Sequence, residues 1–245
     1  MKFQTIGNPN DSLIIMLPGS FCPSSGLNYL YEKLKDDYCI VLVEYNGHYE
    51  NSTFSSRQNE AKGIVEYIQK QNIHTIKMIY GQSMGAEIAI ELFKQLEKTN
   101  IDVDYCFLDG ASCIKLPYLY KKFMYFKFNQ ILKMMKKTDV DQILNMKLIK
   151  KIARGNIENL RPMIEPMAVT AQFLSKESVK NETECCYTFD FPLFDKETQN
   201  KMYFFYGKEE KAYKTCYRGV KKAYPQSNSI FKEGYGHLWT FNVFY

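Results

Sequence analysis

The stretch Thr75-Ile76-Lys77-Met78-Ile79-Tyr80-Gly81-Gln82-Ser83-Met84-Gly85-Ala86 decides how this chain is read. Thr75 to Tyr80 is rich in apolar and β-branched residues and reads as a strand, and a helical pattern starts at Ala86 and runs to Glu97. Between them lies G-x-S-x-G. In a strand-turn-helix context this pattern puts a serine at the tip of a strained turn, where side chains two residues to either side would collide with the neighbouring strand and helix. At average glycine usage the bare pattern arises by chance in under about one chain in ten of this length. The correct flanks on both sides make coincidence rarer still.

Working outward, strand and helix patterns take turns. Strands are expected at Ser12 to Leu17, Cys39 to Tyr45, Thr75 to Tyr80, Val103 to Leu108, Lys201 to Tyr206 and Ser227 to Phe231. Several are apolar almost throughout, as when helices cover both faces of a parallel sheet. Helices are expected at Leu27 to Leu34, Arg57 to Gln71, Ala86 to Glu97 and Lys211 to Ala223. The second carries Ala61, Ile64, Val65 and Ile68 as an i, i+3, i+4, i+7 stripe, the pattern of a helix laid on a sheet. The order predicts an α/β fold with a mostly parallel central sheet and right-handed crossovers. At 245 residues one domain suffices.

The alternation breaks once, between about Ser112 and Thr188. Tyr118 to Lys137 and Val140 to Ile152 read as helices dense in Lys, Met, Phe and Tyr, followed by a Pro-containing stretch at Arg161 to Pro166 and another helix to about Leu174. The division expected is a core of residues 1–112 and 188–245 with a helical insertion over 113–187. The net charge of +5 is unevenly spread: Lys115 to Lys180 holds 14 basic against 5 acidic residues, so the rest of the chain is net acidic.

Composition excludes several classes. Hydrophobic residues at 45% and charged residues at 24% are ordinary for a globular protein and unlike a disordered chain. Met1 to Asp11 lacks the apolar stretch of a signal peptide, and no run approaches the ~20 apolar residues of a membrane span. A soluble, cytoplasmic protein is expected, and the seven cysteines, odd in number and without CxxC spacing, fit a reducing compartment as small buried hydrophobes. Nothing resembles a base-reading module, so no nucleic-acid partner is expected.

The elbow in this setting resembles that of the α/β-hydrolase family, and the similarity spans nearly the whole chain outside the helical insert. The resemblance implies a triad in the order serine, acid, histidine, each on a loop at the carboxyl end of a strand. Ser83 is then the nucleophile. Of the three histidines, His237 in Gly234-Tyr235-Gly236-His237 follows the last strand and matches the family's base; His48 in Gly47-His48 matches a structural turn, and His74 reads as surface. Gly207-Lys208-Glu209-Glu210 stands where relatives show Gly-x-x-Asp, so Glu210 is the expected acid, with Glu209 and Asp109 as rivals. Glutamate can still orient the imidazole and stabilise its cation. The oxyanion donors are expected to be the amide of Met84 and one from Leu17-Pro18-Gly19-Ser20-Phe21, where many relatives have His-Gly; Ser20 is favoured over Phe21.

The implied reaction is hydrolysis of a carboxylic ester or thioester through an acyl-enzyme, without metal or organic cofactor. An acyltransferase, a peptidase or a C–C hydrolase would use the same triad, and a non-catalytic binding protein on the same fold is the rival from another class. In many relatives an insert at this place forms a lid. Here Phe123, Phe126, Met134, Met135, Met146 and Met163 would line an apolar pocket beneath outward lysines, and Lys121, Lys122, Lys127, Lys133, Lys136 and Lys137 would draw an anionic or amphiphilic small-molecule acyl substrate, or a lipid surface, toward the site. The plainer reading of the insert is a small helical core with a solvated lysine face.

Overall fold

The computed structural model describes residues 1–146, 161–210 and 213–236. Seven strands form one sheet: β1 (Lys2–Ile6), β2 (Leu13–Leu17), β3 (Cys39–Glu44), β4 (Thr75–Gln82), β5 (Asp102–Asp109), β6 (Met202–Gly207) and β7 (Asn228–Lys232). Their spatial order is β1-β3-β2-β4-β5-β6-β7. β1 runs antiparallel to β3 and every other pairing is parallel. All six expected strands are present. β1 is an addition, an edge strand with one neighbour whose residues are mostly solvent-facing, and so without the apolar run that identified the others.

The central strands show why they are central. β2 is buried at all five positions and β3 at five of six, which demands helices on both sides. Those helices are α1 (Asn28–Leu34), α2 (Arg57–Lys70), α3 (Met84–Leu96), α8 (Lys196–Asn200) and α9 (Tyr213–Ala223). α2 begins where Ser56 caps the Asn59 amide, and it buries Ala61, Ile64 and Ile68, the stripe read from sequence.

Between β5 and β6 come α4 (Tyr118–Lys137), α5 (Val140–Leu144), α6 (Arg161–Phe173) and α7 (Lys176–Tyr187). α4 has the bounds expected of it. The helix expected from Val140 is seen to Leu144, and its continuation past residue 146 lies outside the described residues. The Pro-containing stretch proves to be helical: α6 starts at Arg161 and carries Pro166 inside it. α7 has no counterpart in the sequence reading, because its inward face, Ser178, Val179, Glu182, Thr183, Cys185 and Cys186, holds a single aliphatic residue. Where this region leaves and rejoins the core, the Leu116 amide donates to the Tyr187 carbonyl (3.0 Å) and the Phe189 amide to the Ile114 carbonyl (3.0 Å), a two-residue neck.

Among the described residues no helix is long and apolar enough to cross a membrane.

Candidate active site

The carboxyl ends of β2, β4, β5 and β6 lie side by side in the sheet, and the loops leaving them line one cleft. At its centre β4 ends in Gln82 and α3 begins at Met84, leaving Ser83 to make the turn with φ 52° and ψ −117°. A non-glycine residue there is strained and persists only where its surroundings hold it. They do: the Ser83 amide donates to the Asp109 carbonyl at 2.7 Å, and the Ala86 amide to the Ser83 carbonyl at 2.9 Å. A Cβ on Gly81 would meet the Gly85 carbonyl oxygen at 2.4 Å, and one on Gly85 would meet the Leu17 carbonyl oxygen at 2.3 Å. The two glycines therefore allow α3 to fold back tightly over β2 and β4.

Met84 is the first residue of α3, so its amide has no carbonyl one turn back to bond, and the helix dipole adds positive potential beside Ser83. The β2 loop reaches the same place, since a Cβ on Gly19 would stand 3.4 Å from the Ser83 Cβ. Within this loop the Phe21 amide donates to Glu182 Oε2 at 2.9 Å and the Cys22 amide to the Gly19 carbonyl at 3.2 Å. Among the described residues no bond of this kind engages the Ser20 amide; the Ser20 hydroxyl lies 3.1 Å from the Cys186 sulfur.

Glu210 and Ser83 line one cleft of about 430 Å³. Phe21, Ile114, Phe128, Met167 and Tyr187 form its apolar walls, and Cys22, Cys186 and Cys216 add thiols. Burial pushes the thiols of Cys22 and Cys216 up to about 12, so they stay protonated and serve as small apolar surface. A roomier hollow of about 560 Å³ lies at the opposite, amino end of the sheet, bordered by Asp11, Cys39, His74 and Lys77, away from every one of these loops.

The rival acids are placed differently. Glu209 is exposed. Asp109 is fully buried, and its Oδ2 accepts from the Tyr80 hydroxyl at 3.2 Å. Tyr80 lies 3.1 Å from the Tyr29 hydroxyl, which in turn accepts from Gln82 Nε2 at 2.8 Å, so a buried chain Gln82-Tyr29-Tyr80-Asp109 underpins the elbow. Sequence reading passed over both tyrosines, which lie in segments that otherwise read only as a helix and a strand.

His237 lies outside the described residues. The loop leading to it does not: the Glu209 amide donates to the Tyr235 carbonyl at 2.9 Å and the Lys208 amide to the Lys232 carbonyl at 2.9 Å. A Cβ on Gly207 would collide with the Gly236 carbonyl oxygen at 2.0 Å, so the β6 and β7 loops touch.

His48 is structural in a stronger sense than its turn suggested. It is buried, with Nε2 3.0 Å from Glu182 Oε1 and Nδ1 3.4 Å from Glu44 Oε1. Burial alone would lower its pKa, but the carboxylates of Glu182 and Glu44 outweigh burial and hold the imidazolium up to about 10. Glu182 also takes the Phe21 amide, and Glu44 Oε2 takes the amide and hydroxyl of Ser24, each at 2.9 Å. One buried cation thus joins two carboxylates that grip the β2 loop at both ends. His74 is exposed, as expected.

The apolar pocket expected from the insert needs correction. Phe123 and Phe126 are each 58% exposed and Met146 38%, whereas Met135 and Met134 pack in the insert's own core; the side chain of Met163 lies outside the described residues. The cleft takes Phe128 and Met167 instead. α4 carries apolar residues on two opposite faces with lysines between them, and the partners that select Tyr125, Phe128, Leu132 and Met135 as the inner face are supplied by the fold. Among the described residues no cluster of His, Cys, Asp and Glu could hold a metal ion.

No family model and no curated protein matches the sequence. Solved structures do. An α/β-hydrolase family protein from Desulfitobacterium hafniense superposes with a TM-score of 0.73 at 17% identity, over 98% of this chain and 94% of that one. An esterase from a marine microorganism gives 0.68 at 17% identity over 98% and 94%, and the carboxylesterase CesB of Bacillus subtilis 0.61 at 12% over 98% and 81%. The element order, the serine elbow and these near full-length superpositions agree that the chain has the α/β-hydrolase fold.

Proposed function

We propose that the protein is a serine hydrolase that cleaves carboxylic esters or thioesters through Ser83, His237 and Glu210. The observation that carries this reading is Ser83 held at positive φ on the amino end of α3, in the same cleft as Glu210. His237 follows Gly236, whose carbonyl packs on Gly207, three residues before Glu210. That contact favours an imidazole between acid and nucleophile.

In the mechanism proposed, His237 takes the Ser83 proton as the hydroxyl attacks the acyl carbonyl, and Glu210 orients the imidazole and stabilises its cation. The amides of Met84 and Ser20 receive the oxyanion, each worth about 3 kcal/mol of transition-state stabilisation. Engagement of the Phe21 amide by Glu182 favours Ser20 as the second donor. His237 then protonates the leaving group, and a water activated by the same imidazole releases the acid. The insert would act as a lid, with Phe128, Met167 and Tyr187 against the acyl group. Glu210 is the only charged residue among the described ones lining the cleft, which favours an uncharged acyl chain over the anionic substrate expected from the lysines.

Intact mass after exposure to a fluorophosphonate probe tests the reading. One adduct on the wild type, absent from Ser83→Ala and strongly slowed in His237→Ala, is expected; no adduct on correctly folded wild type would sink the hydrolase reading in favour of a binding protein.

A further inference from the structure

Helix α4 is apolar on two faces. Its inner face, Tyr125, Phe128, Leu132 and Met135, packs in the insert's core. The opposite face carries Leu119, Phe123 and Phe126, spaced i, i+4, i+7, beside Tyr118 and Tyr120, and these five are between 58% and 75% exposed. An apolar helix face ordinarily packs against the rest of the protein. So large a cluster of exposed apolar side chains is uncommon on a monomer and marks an interaction surface.

The charges of the helix identify the partner. α4 carries six lysines and no acidic residue. Lys121 pairs with Glu184 at 2.6 Å and Lys136 donates to the Leu174 carbonyl at 3.0 Å, while Lys122 and Lys127 stand exposed among the aromatic rings, with Lys127 5.7 Å from the centre of the Phe123 ring. A second copy packed on this face would set lysine against lysine. An anionic lipid surface suits both halves of the pattern: aromatic and leucine side chains enter the boundary between headgroups and acyl chains, and lysines stretch their apolar stems to reach phosphate and carboxylate groups.

We infer that the outer face of α4 docks the protein on anionic lipid surfaces. Phe128, on the inner side of the same helix, lines the cleft that holds Ser83, so a docked molecule would hold that cleft near the lipid.

The test is co-sedimentation of the full chain with vesicles of phosphatidylcholine alone or mixed with phosphatidylserine. The expected result is binding to the mixed vesicles only, weakened by salt, lost in Phe123→Ser/Phe126→Ser, and reduced about 25-fold in Lys122→Gln/Lys127→Gln, since each basic group at an anionic leaflet is worth about fivefold. Ser83→Ala should bind like wild type, which separates docking from the proposed hydrolysis. Unchanged thermal unfolding of the exposed-face variants will show that they fold. Absence of binding, equal binding to both vesicles, or a dimer that Phe123→Ser/Phe126→Ser dissolves without any vesicle binding would each overturn the inference.

Discussion

Helices α3 and α4 are both rich in apolar residues, yet the fold treats them in opposite ways. α3 buries 11 of its 13 residues, including Glu87 and Glu91, whereas α4 buries only Leu132 and Met135 of its 20. α3 is clamped against the sheet by two glycines and holds the strained serine; α4 packs along one side and leaves the other open. Strain at a positive-φ serine demands surroundings that cannot relax, and α3 supplies them. A helix spared that duty can display apolar side chains to a partner.

The sharpest way to break this contrast is at the α3 elbow. Gly85→Val should cost more than about 4 kcal/mol, since its side chain must push into the Leu17 and Pro18 carbonyls, and denaturant unfolding or loss of expressed soluble protein will read it. Glu182→Ala should follow at about 3–5 kcal/mol, because it strands the buried imidazolium of His48 and releases the Phe21 amide. If the network positions the β2 loop, the milder Glu182→Gln will lower kcat with little change in KM; an unchanged kcat would limit Glu182 to stability.

Ile88→Ala, at a fully buried position of α3, is expected to cost about 3 kcal/mol by the cavity it leaves. Phe123→Ala on α4 should stay within about 0.5 kcal/mol despite removing a larger side chain. Equal costs would mean that the outer face of α4 is covered in the folded protein.

A further effect follows from pH. The folded state holds His48 protonated up to about 10 against an ordinary value of 6.5, so its contribution is full below 6.5 and disappears as pH rises toward 10. Glu87 acts in the same direction: burial raises it from 4.5 to about 8, so ionising it costs stability over that interval. Melting temperature should fall from pH 7 to 10 more steeply in wild type than in His48→Gln, and Glu87→Gln should flatten the slope between pH 5 and 8; parallel curves would contradict these assignments.

Much of this was legible in the sequence because it depended on local pattern. The central strands β2 and β3 are nearly continuous apolar runs, α2 is a periodic stripe, and the elbow is a motif whose flanks confirm it. Features with mixed signals were not legible. β1 has an edge strand's modest alternation, and α7 has an inward face of serine, threonine, cysteine and glutamate that no hydrophobic periodicity reveals. That face is mixed because Glu182 binds a loop amide and an imidazolium while Val179, Cys185 and Cys186 pack in the core.

The sequence by itself determined the alternation of strand and helix, the elbow at Ser83 and the candidate acid loop at Gly207 to Glu210, since backbone sterics and residue spacing act over a few neighbours. Only the tertiary structure decided that Glu210, not Glu209 or Asp109, lines the cleft with Ser83. It also decided that Phe128 faces the cleft while Phe123 and Phe126 face outward, and that His48, Glu44 and Glu182 form one buried cluster. Each of these depends on residues distant in the sequence being packed together, and the phase of an apolar helix or the partner of a buried charge exists only once that packing has formed.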